Sequence, residues 1–407
     1  MPGCGCDTDR DWQLRRGGDD ADTDALTRAE RGLDERVGIV TEVGEAESFP
    51  APYYLSTLSD TSGFSDVAAP RQAAGVAVDW DTAFMKALGE SYERYAAGVY
   101  RTTDLPDRPP ADHVAPTAFV RPDSHTDDPP VAWVPGEHLS SGGETALPAE
   151  TVFYPPPSER VRPATTTGLG LGSSGTDAVL AGLYEIVERD AAMLAWYSTF
   201  EPLAVRVGDH EEFGTLRRRA AAEGLSVTPL LLTQDIDVPV VAVAVESDTW
   251  PEFALGMAAD LDPGNAAVGA LAEALQNWME LRGMGRTGAQ DAEGAIGRYA
   301  DRPQSVQSLT DTETAVPLGS LGPDRVGEPP TELATLVERV TDAGVEPYGV
   351  RLTRRDLDSM GFEAVRVVCP SAQPLVLGDS YFGERARSVP EKLGFEPRLD
   401  RAHHPFP

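Results

Sequence analysis

Three segments of this sequence carry the same short polar pattern inside a helical periodicity. Each pairs a Glu with a second Glu or Gln three residues later, and the pairs are Glu90 with Glu93, Glu185 with Glu188, and Glu273 with Gln276. Residues at i and i+3 lie on one face of a helix, so each segment presents two oxygen-bearing side chains in one direction. Small and apolar residues flank these pairs. Any fold of this chain must therefore place three polar helix faces in largely apolar surroundings.

These carboxylates have two interpretations. Glu90 with Arg94 and Glu185 with Arg189 are i,i+4 pairs, which are common on exposed helices and contribute little to stability. In apolar surroundings, however, a carboxylate is costly without a cation. Asp177 lies on the same helix stripe as Glu188, about 20° from eclipsed, and extends the acidic row. Because Mg2+ takes carboxylate and phosphate oxygens together, the pattern predicts a site for magnesium and a nucleotide.

A glycine-rich segment, GLGLGSSGT at residues 168–176, precedes the second of these helices. It is predicted as a turn, with Thr176 as the helix N-cap. Backbone N–H groups at a helix N-terminus can approach phosphate closely, which makes the turn a candidate nucleotide contact. It is not a Walker motif, because no Gly-Lys-Ser/Thr occurs and the chain has only two lysines, Lys86 and Lys392.

Helical and β-branched segments alternate along the chain, which predicts an α/β fold of mixed sheets with packed helices. The segments 104–163 are rich in proline and are predicted to form a connector with short edge strands. The predicted helices, which include the three carboxylate-bearing segments, cover residues 81–97, 177–196, 213–223, 265–282 and 333–343. The predicted strands cover residues 131–134, 151–154, 203–207, 225–233, 238–246, 346–353 and 363–369.

The charge balance limits the partners and the setting of the protein. Lys and Arg total 34 against 66 Asp and Glu, which gives a net charge of −32. A lysine-poor acidic surface is typical of proteins that stay soluble in molar salt, where self-repulsion is screened, so we expect a halophilic host. No segment offers the clustered basic residues that nucleic acid binding needs. The longest apolar run, residues 238–245, is too short to span a membrane, and we expect a cytoplasmic location.

The N-terminal region is predicted to lie apart from the main domain. Residues 1–36 are polar and acidic and are expected to form a mobile tail, and residues 37–407 are expected to form one domain. Cys4 and Cys6 form a C-x-C in this tail, which is open to a metal site or a disordered leader. With Cys369 they are too few for a disulfide framework, which favours a reducing compartment.

At the glycine-rich segment and the three carboxylate-bearing helices, the chain resembles the YcaO family. The family has a comparable turn before a G-L-x-E-x-x-E-R-D-A helix, which is GLYEIVERDA at residues 182–191 here. The helix ALGESYERY at residues 87–95, the segment WVPG at 133–136, the third helix and the final PFP at 405–407 follow in the family's order. The resemblance extends from about residue 37 to the end, and it implies an ATP site between carboxylate-bearing helices.

The resemblance implies a role for each matching residue. The implied magnesium ligands are Glu90, Glu93, Asp177 and Glu188, and the implied nucleotide contacts are Gly170, Ser173, Glu185, Arg189, Glu273, Gln276 and Arg282. Asp177 stands where the family usually has Glu, and Ser173 where it often has Asn. Related cyclodehydratases end in Pro-x-Pro-x-Pro, and His403 replaces the first of these prolines. Arg189, Pro407 and His404 are the implied catalytic residues, with His404 or the terminal carboxylate of Pro407 as candidate bases.

The implied chemistry is ATP- and Mg2+-dependent modification of a peptide backbone. In the cyclodehydratase branch a Cys, Ser or Thr side chain attacks the preceding amide carbonyl, and ATP phosphorylates the oxyanion so that it can leave as an azoline forms. The proline-ending tail favours this branch over thioamide formation by the same fold. A non-catalytic scaffold is a third alternative. The expected partners are a peptide substrate and a separate leader-peptide-binding protein, with a homodimer left open.

Overall fold

The computed structural model describes residues 12–16, 24–125, 130–291, 296–312, 314–323 and 325–407. These residues form three β-sheets with helices packed against them, which confirms the predicted mixed α/β class. The strands are β1 Val40–Glu47, β2 Tyr53–Leu58, β3 Gln72–Val76, β4 Trp133–His138, β5 Glu144–Pro148, β6 Leu169–Gly172, β7 Leu203–Arg206, β8 Ser226–Leu231, β9 Val240–Glu246, β10 Phe253–Ala259, β11 Ala315–Pro317, β12 Tyr348–Arg351 and β13 Glu363–Val368.

The helices include all five that the sequence predicts. They are α1 Ala25–Ala29, α2 Trp80–Gly98, α3 Ala149–Val152, α4 Gly175–Trp196, α5 Glu211–Ala222, α6 Pro263–Asp291, α7 Ile296–Tyr299, α8 Gln304–Thr310, α9 Pro329–Asp342, α10 Arg355–Ser359 and α11 Arg385–Leu393. Helix α6 contains one non-helical residue, Gly285, at φ 70°. Within the described ranges, none of the helices is both long enough and apolar enough to cross a bilayer.

Each sheet is named here after its middle strand. The β2 sheet has the order β1-β2-β3, the β8 sheet β10-β9-β8-β7-β11, and the β12 sheet β5-β4-β12-β13-β6. Most neighbouring strands are antiparallel, whereas β11 runs parallel to β7. Three apolar clusters fill the space between sheets and helices, and the largest surrounds α4. Helix α4 is buried over most of its length.

The three carboxylate-bearing helices each pack on the edge strand of a different sheet. Helix α2 packs on β3, α4 on β6, and α6 on β10. A glycine in each edge strand permits the close approach, because an added Cβ would lie 2.1–2.2 Å from helix backbone atoms at Gly75, Gly170 and Gly256. The three strand–helix units therefore share one packing geometry.

Local hydrogen bonds fix where these helices begin. Helix α2 starts at Trp80, and the Asp79 carboxylate accepts from Thr82 N, so Asp79 is its N-cap. Helix α4 starts at Gly175, with the Ser174 hydroxyl accepting from Asp177 N. Ser174 is therefore the N-cap of α4, and Thr176, which was predicted as the N-cap, is the second residue of the helix. Residues 169–172 of the glycine-rich segment form strand β6 rather than a turn, because their backbone pairs with β13.

The connector also differs from expectation at one point. Residues 151–154 were expected to be an edge strand, but residues 149–152 form the short helix α3. The helix follows Pro148 and is held by the buried Glu150, whose carboxylate accepts from Val131 N. The strands of this region are β4 and β5, which pair with each other.

The described part of the expected N-terminal tail is packed against the domain. Residues 25–29 form α1, and Arg28 is 6% exposed. Its guanidinium donates to Gly361 O and to the Ser173 hydroxyl, and it lies 4.9 Å from the Phe362 ring centroid. The ordered chain thus begins before residue 37, since these contacts hold α1 against the edge of the β12 sheet. Cys4 and Cys6 lie outside the described residues.

Candidate functional site

The first glutamate of each helical pair is held by the edge strand beneath its helix. In every case a backbone N–H donates to one carboxylate oxygen, from Ala74 to Glu90 at 2.7 Å, from Gly168 to Glu185 at 2.9 Å, and from Met257 to Glu273 at 2.6 Å. Donor and acceptor are 16 or 17 residues apart in all three. These bonds use edge-strand N–H groups that would otherwise lack a partner, and they orient the three carboxylates.

The second glutamate on α2 and on α4 reaches the next strand–helix unit. The Glu93 carboxylate faces the backbone N–H of Leu171 in β6, and the Glu188 carboxylate faces that of Ala259 in β10, and both N–H groups favour the ionised carboxylates. Helix α2 thereby approaches the strand under α4, and α4 approaches the strand under α6. The carboxylates of three separate segments consequently face one shared region, which we call the carboxylate site.

Burial and mutual repulsion raise the pKa values of these carboxyl groups. For Glu93, burial and the charges of Glu185 and Glu90 raise the pKa to about 8. The pKa of Glu188 is raised well above its ordinary value by burial, and also by Glu273 and Glu185, although Arg189 opposes the shift. Burial raises the pKa of Glu273 to about 6. Such a site stabilises any cation that compensates the carboxylates.

Arg189 lies among these carboxylates near the middle of α4. Its guanidinium is 3.5 Å from Glu185 and 3.6 Å from Glu188, and Nη1 donates to an oxygen of Pro407 at 2.8 Å. Burial lowers the pKa of Arg189, but the charges of Glu185, Glu188 and Glu273 more than offset this, so the group stays charged. It therefore links the two glutamates of α4 to the C-terminal segment.

Glu280 on α6 contacts residues around the carboxylate site, although the sequence analysis did not identify it. Gln276 Nε2 donates to Glu280 at 3.0 Å, and the Tyr53 hydroxyl donates to the same carboxylate at 2.7 Å. Burial, Glu280 and Glu90 together raise the pKa of Tyr53. Tyr53 belongs to β2, so α6 is connected back to the sheet that carries α2. Glu280 lies four residues beyond Gln276, a helical spacing that could have identified it.

Several predicted site residues have other partners in the structure. The Ser173 hydroxyl accepts from Arg28, and Gly170 lies under α4, where close packing accounts for its lack of a side chain. Arg282 pairs with Glu47 and Glu223 at the surface, outside the carboxylate site. Asp177 lies partly buried in the first turn of α4.

The C-terminal segment folds along α4. Phe406 is 1% exposed, and the Trp196 indole donates to Ala402 O at 2.8 Å. His404 is fully buried, with Nε2 2.7 Å from Val376 O. Burial lowers the pKa of His404 to about 3, so the ring is neutral near neutral pH. The structure thus brings Pro407 to Arg189 but holds His404 in a packed position.

Lys86 is a second residue that the sequence analysis did not include in the site. It precedes Glu90 by four residues and Glu93 by seven, so all three lie on one stripe of α2. Its charge interacts with Glu273 on α6. The same helical spacing argument that grouped the glutamates could have identified it.

The carboxylates fit a metal-bound nucleotide rather than a bare metal. Within the described ranges, no three or more His, Cys, Asp or Glu side chains come together closely enough to hold an ion by themselves. Magnesium typically takes only one or two carboxylates and completes its shell with phosphate oxygens and water. The pKa values of Glu93 and Glu188 are raised although Arg94 and Arg189 partly offset the shifts, so a metal would supply further compensating charge.

Comparison with known proteins now decides the family. A family model described as YcaO cyclodehydratase, ATP- and Mg2+-binding, matches residues 74–373. This chain belongs to the YcaO family. Its cofactors are therefore ATP and Mg2+. Glu90, Glu185 and Glu273 of the carboxylate site all lie within the match.

Individual relatives agree with this assignment. An uncharacterized protein of Methanothermobacter thermautotrophicus is 26% identical over 325 residues, covering 74% of this chain and 82% of the relative. The structure of YcaO from Methanopyrus kandleri, bound with AMPPCP and Mg2+, matches with a TM-score of 0.66 and 25% identity, covering 82% of this chain and 86% of that one. A heterocyclase in complex with substrate and cofactor matches 95% of this chain with a TM-score of 0.77 and 22% identity. The match covers 56% of that heterocyclase, so this chain spans about half of its length.

Proposed function

We propose that this YcaO protein uses Mg2+-ATP to convert Cys, Ser or Thr in a ribosomally made peptide to an azoline by cyclodehydration. The observation that carries the proposal is the carboxylate site around Arg189. Its guanidinium lies beside Glu185 and Glu188 of α4, interacts with the charge of Glu273 of α6, and donates to Pro407 of the C-terminal segment. Membership in an ATP- and Mg2+-binding family and a fold shared with a heterocyclase support it.

The residues divide into two groups under this proposal. Glu93 and Glu188 hold the metal, because Arg94 and Arg189 only partly offset their negative charges, and Glu90 and Asp177 complete the acidic surroundings. When bound, Mg2+-ATP supplies the phosphoryl group that turns the amide oxygen into a good leaving group. Arg189 stabilises the negative charge of that group, since its guanidinium is fixed by two carboxylates and stays charged.

The remaining nucleotide contacts lie around this centre. Backbone N–H groups orient Glu185 and Glu273. The second oxygen of Glu185 pairs with Arg189, and the second oxygen of Glu273 is available to the nucleotide or its metal. Gln276, together with Glu280, forms the wall on the α6 side. Ser173 and Arg282 are less suited, because their polar groups are directed to Arg28, and to Glu47 and Glu223.

Proton removal from the attacking side chain requires a base at the same centre. The carboxylate of Pro407 is the proposed base, because it lies next to Arg189, which would hold it ionised. His404 is less suited, since its Nε2 is bonded to Val376 O and its pKa is lowered to about 3. Adding one glycine after Pro407 would move the carboxylate away. Loss of peptide turnover with unchanged Mg2+-ATP binding is expected, and full turnover would refute the role.

Peptide recognition is proposed to need a second protein. The heterocyclase that shares this fold is nearly twice as long as the matched region, which supports a leader-binding function carried outside the chain described here. Purification from the native host with a tagged chain should recover a peptide-binding companion. Full peptide turnover by the isolated chain would refute this part of the proposal.

The nucleotide site can be tested without a substrate. Calorimetric titration of Mg2+-ATP in molar KCl should give saturable binding by the wild type and none by Glu188→Ala. Glu338→Ala is the matched control, because Glu338 is an exposed carboxylate on α9. Absence of binding by the wild type would refute the enzyme and favour the scaffold alternative.

The reaction itself can be distinguished by mass. Deletion of the gene in the native host should restore one water to a specific peptide, because cyclodehydration removes it. If the peptide instead exchanges sulfur for oxygen, the product is a thioamide, and the cyclodehydration part of the proposal is refuted. Complementation with Glu188→Ala serves as the control for an indirect effect of the deletion.

A further inference from the structure

Lys86 occupies an unusual place in the repeated strand–helix geometry. The residue four positions before the first glutamate is Ala181 on α4 and Gly269 on α6, but Lys86 on α2. It is one of two lysines in a chain of 407 residues with a net charge of −32. A cation at this position is therefore a feature of α2 alone among the three related helices.

The position of Lys86 on α2 directs it toward the carboxylate site. Four residues of helix place it about 40° from Glu90 and seven residues place it about 20° from Glu93, with a rise of about 6 Å to Glu90. The charge of Lys86 interacts with Glu273 on α6, with Asp79 and with Glu212. Its side chain remains open to solvent although protein atoms surround it on several sides. Lys86 of α2 is therefore near enough to acidic residues of α5 and α6 for their charges to interact with it.

The other cations of the site are already engaged. Arg94 pairs with Glu90 and donates to Gln72 O, and Arg189 contacts Glu185, Glu188 and Pro407. Among the described residues, Lys86 forms no salt bridge or hydrogen bond. A polyphosphate entering beside Glu273 needs a positive group on this side, because phosphate and carboxylate repel each other where no metal lies between them.

We propose that Lys86 binds a phosphate group of the nucleotide on the α2–α6 side of the carboxylate site. The inference rests on the proposed nucleotide site and adds a specific contact to it. Lys86 is a compact charge on a flexible stem, which suits a phosphate that arrives with its metal. Because the contact is made to phosphate, its contribution should depend on the phosphates of the ligand and not on the adenosine.

The two lysines provide an internal control for a labelling experiment. An acyl phosphate derivative of ATP transfers its acyl group to a nearby lysine amine, forming an amide and releasing ATP. With the wild type and Mg2+, acylation is expected at Lys86, is suppressed by excess ATP, and is absent at the exposed Lys392. Equal labelling of both lysines, or labelling of Lys86 that ATP does not suppress, would overturn the proposal.

Binding of nucleotides by variants supplies the second readout. Lys86→Gln should weaken Mg2+-ATP binding by about tenfold to a hundredfold, the range for a hydrogen bond to a charged group. Lys86→Arg should keep most of the affinity, and Lys392→Gln should equal the wild type. Adenosine should bind Lys86→Gln and wild type equally. If the wild type binds Mg2+-ATP and Lys86→Gln binds it equally well, the role of Lys86 is refuted while the nucleotide site stands; if the wild type does not bind, both are refuted.

Discussion

Replacing Glu93 by Gln should stabilise the protein at alkaline pH when no metal is bound. The pKa of Glu93 is raised from 4.5 to about 8, first by burial and then by Glu185 and Glu90. The folded protein therefore keeps a proton that the unfolded chain releases, and stability falls as pH rises from 4.5 to 8. Each pH unit in this window costs about 1.4 kcal/mol. The penalty approaches about 5 kcal/mol above pH 8 as an order of magnitude, and a neutral Gln of the same shape removes it.

Urea unfolding in molar KCl can measure this effect. With EDTA present, the free energy of unfolding of Glu93→Gln should exceed that of the wild type, and the difference should be largest near pH 8 and above. The two proteins should converge at acidic pH, where Glu93 is protonated in both states. Addition of Mg2+-ATP should stabilise the wild type more than the variant, because the ionised carboxylate is the form that binds metal. Equal pH dependence of the two proteins without metal would refute the reasoning.

Two further predictions concern the framework of the site. Gly256→Ala should lower the free energy of unfolding by about 1–3 kcal/mol in a thermal unfolding assay, because the added Cβ would lie 2.2 Å from Ala274 N. Gly44→Ala is the control and should be neutral in the same assay, because no atom lies within 4 Å of its added Cβ. Arg385→Ala should cost about 3–5 kcal/mol, since it leaves the buried Asp190 unpaired. The matched control Arg36→Ala removes an exposed ion pair and should change the unfolding free energy by less than about 0.5 kcal/mol.

The sequence predicted the helices of the site better than the strands beneath them. Helices α2, α4 and α6 are long and carry a repeated i,i+3 pattern, so their periodicity is visible in one dimension. Strand β6 is four residues of alternating Leu and Gly, which resembles a turn until β13 supplies the pairing. Which edge-strand N–H meets which glutamate depends on the packing of separate segments, and no local pattern encodes it.

The N-terminal region and the C-terminal segment are both positioned by contacts with distant parts of the chain, which local sequence patterns do not predict. Composition predicted a mobile tail up to residue 36, yet Arg28 packs on Phe362 because a single helical turn with one arginine finds a partner far along the chain. The final residues offered no pattern beyond their prolines. Their position beside Arg189 is set by contacts such as Trp196 with Ala402, which only the folded chain brings together.

The cost of the carboxylate site argues against the scaffold alternative. Glu188 is buried and Glu93 is partly buried among other carboxylates, and their raised pKa values mean that ionising them opposes folding. Their amides would fill the same volume and keep an oxygen for the N–H groups of Leu171 and Ala259. A protein that only bound a partner through this fold would be more stable with those amides. Acidic side chains at both positions are explained by a metal-bound nucleotide, because the cation converts their repulsion into binding free energy.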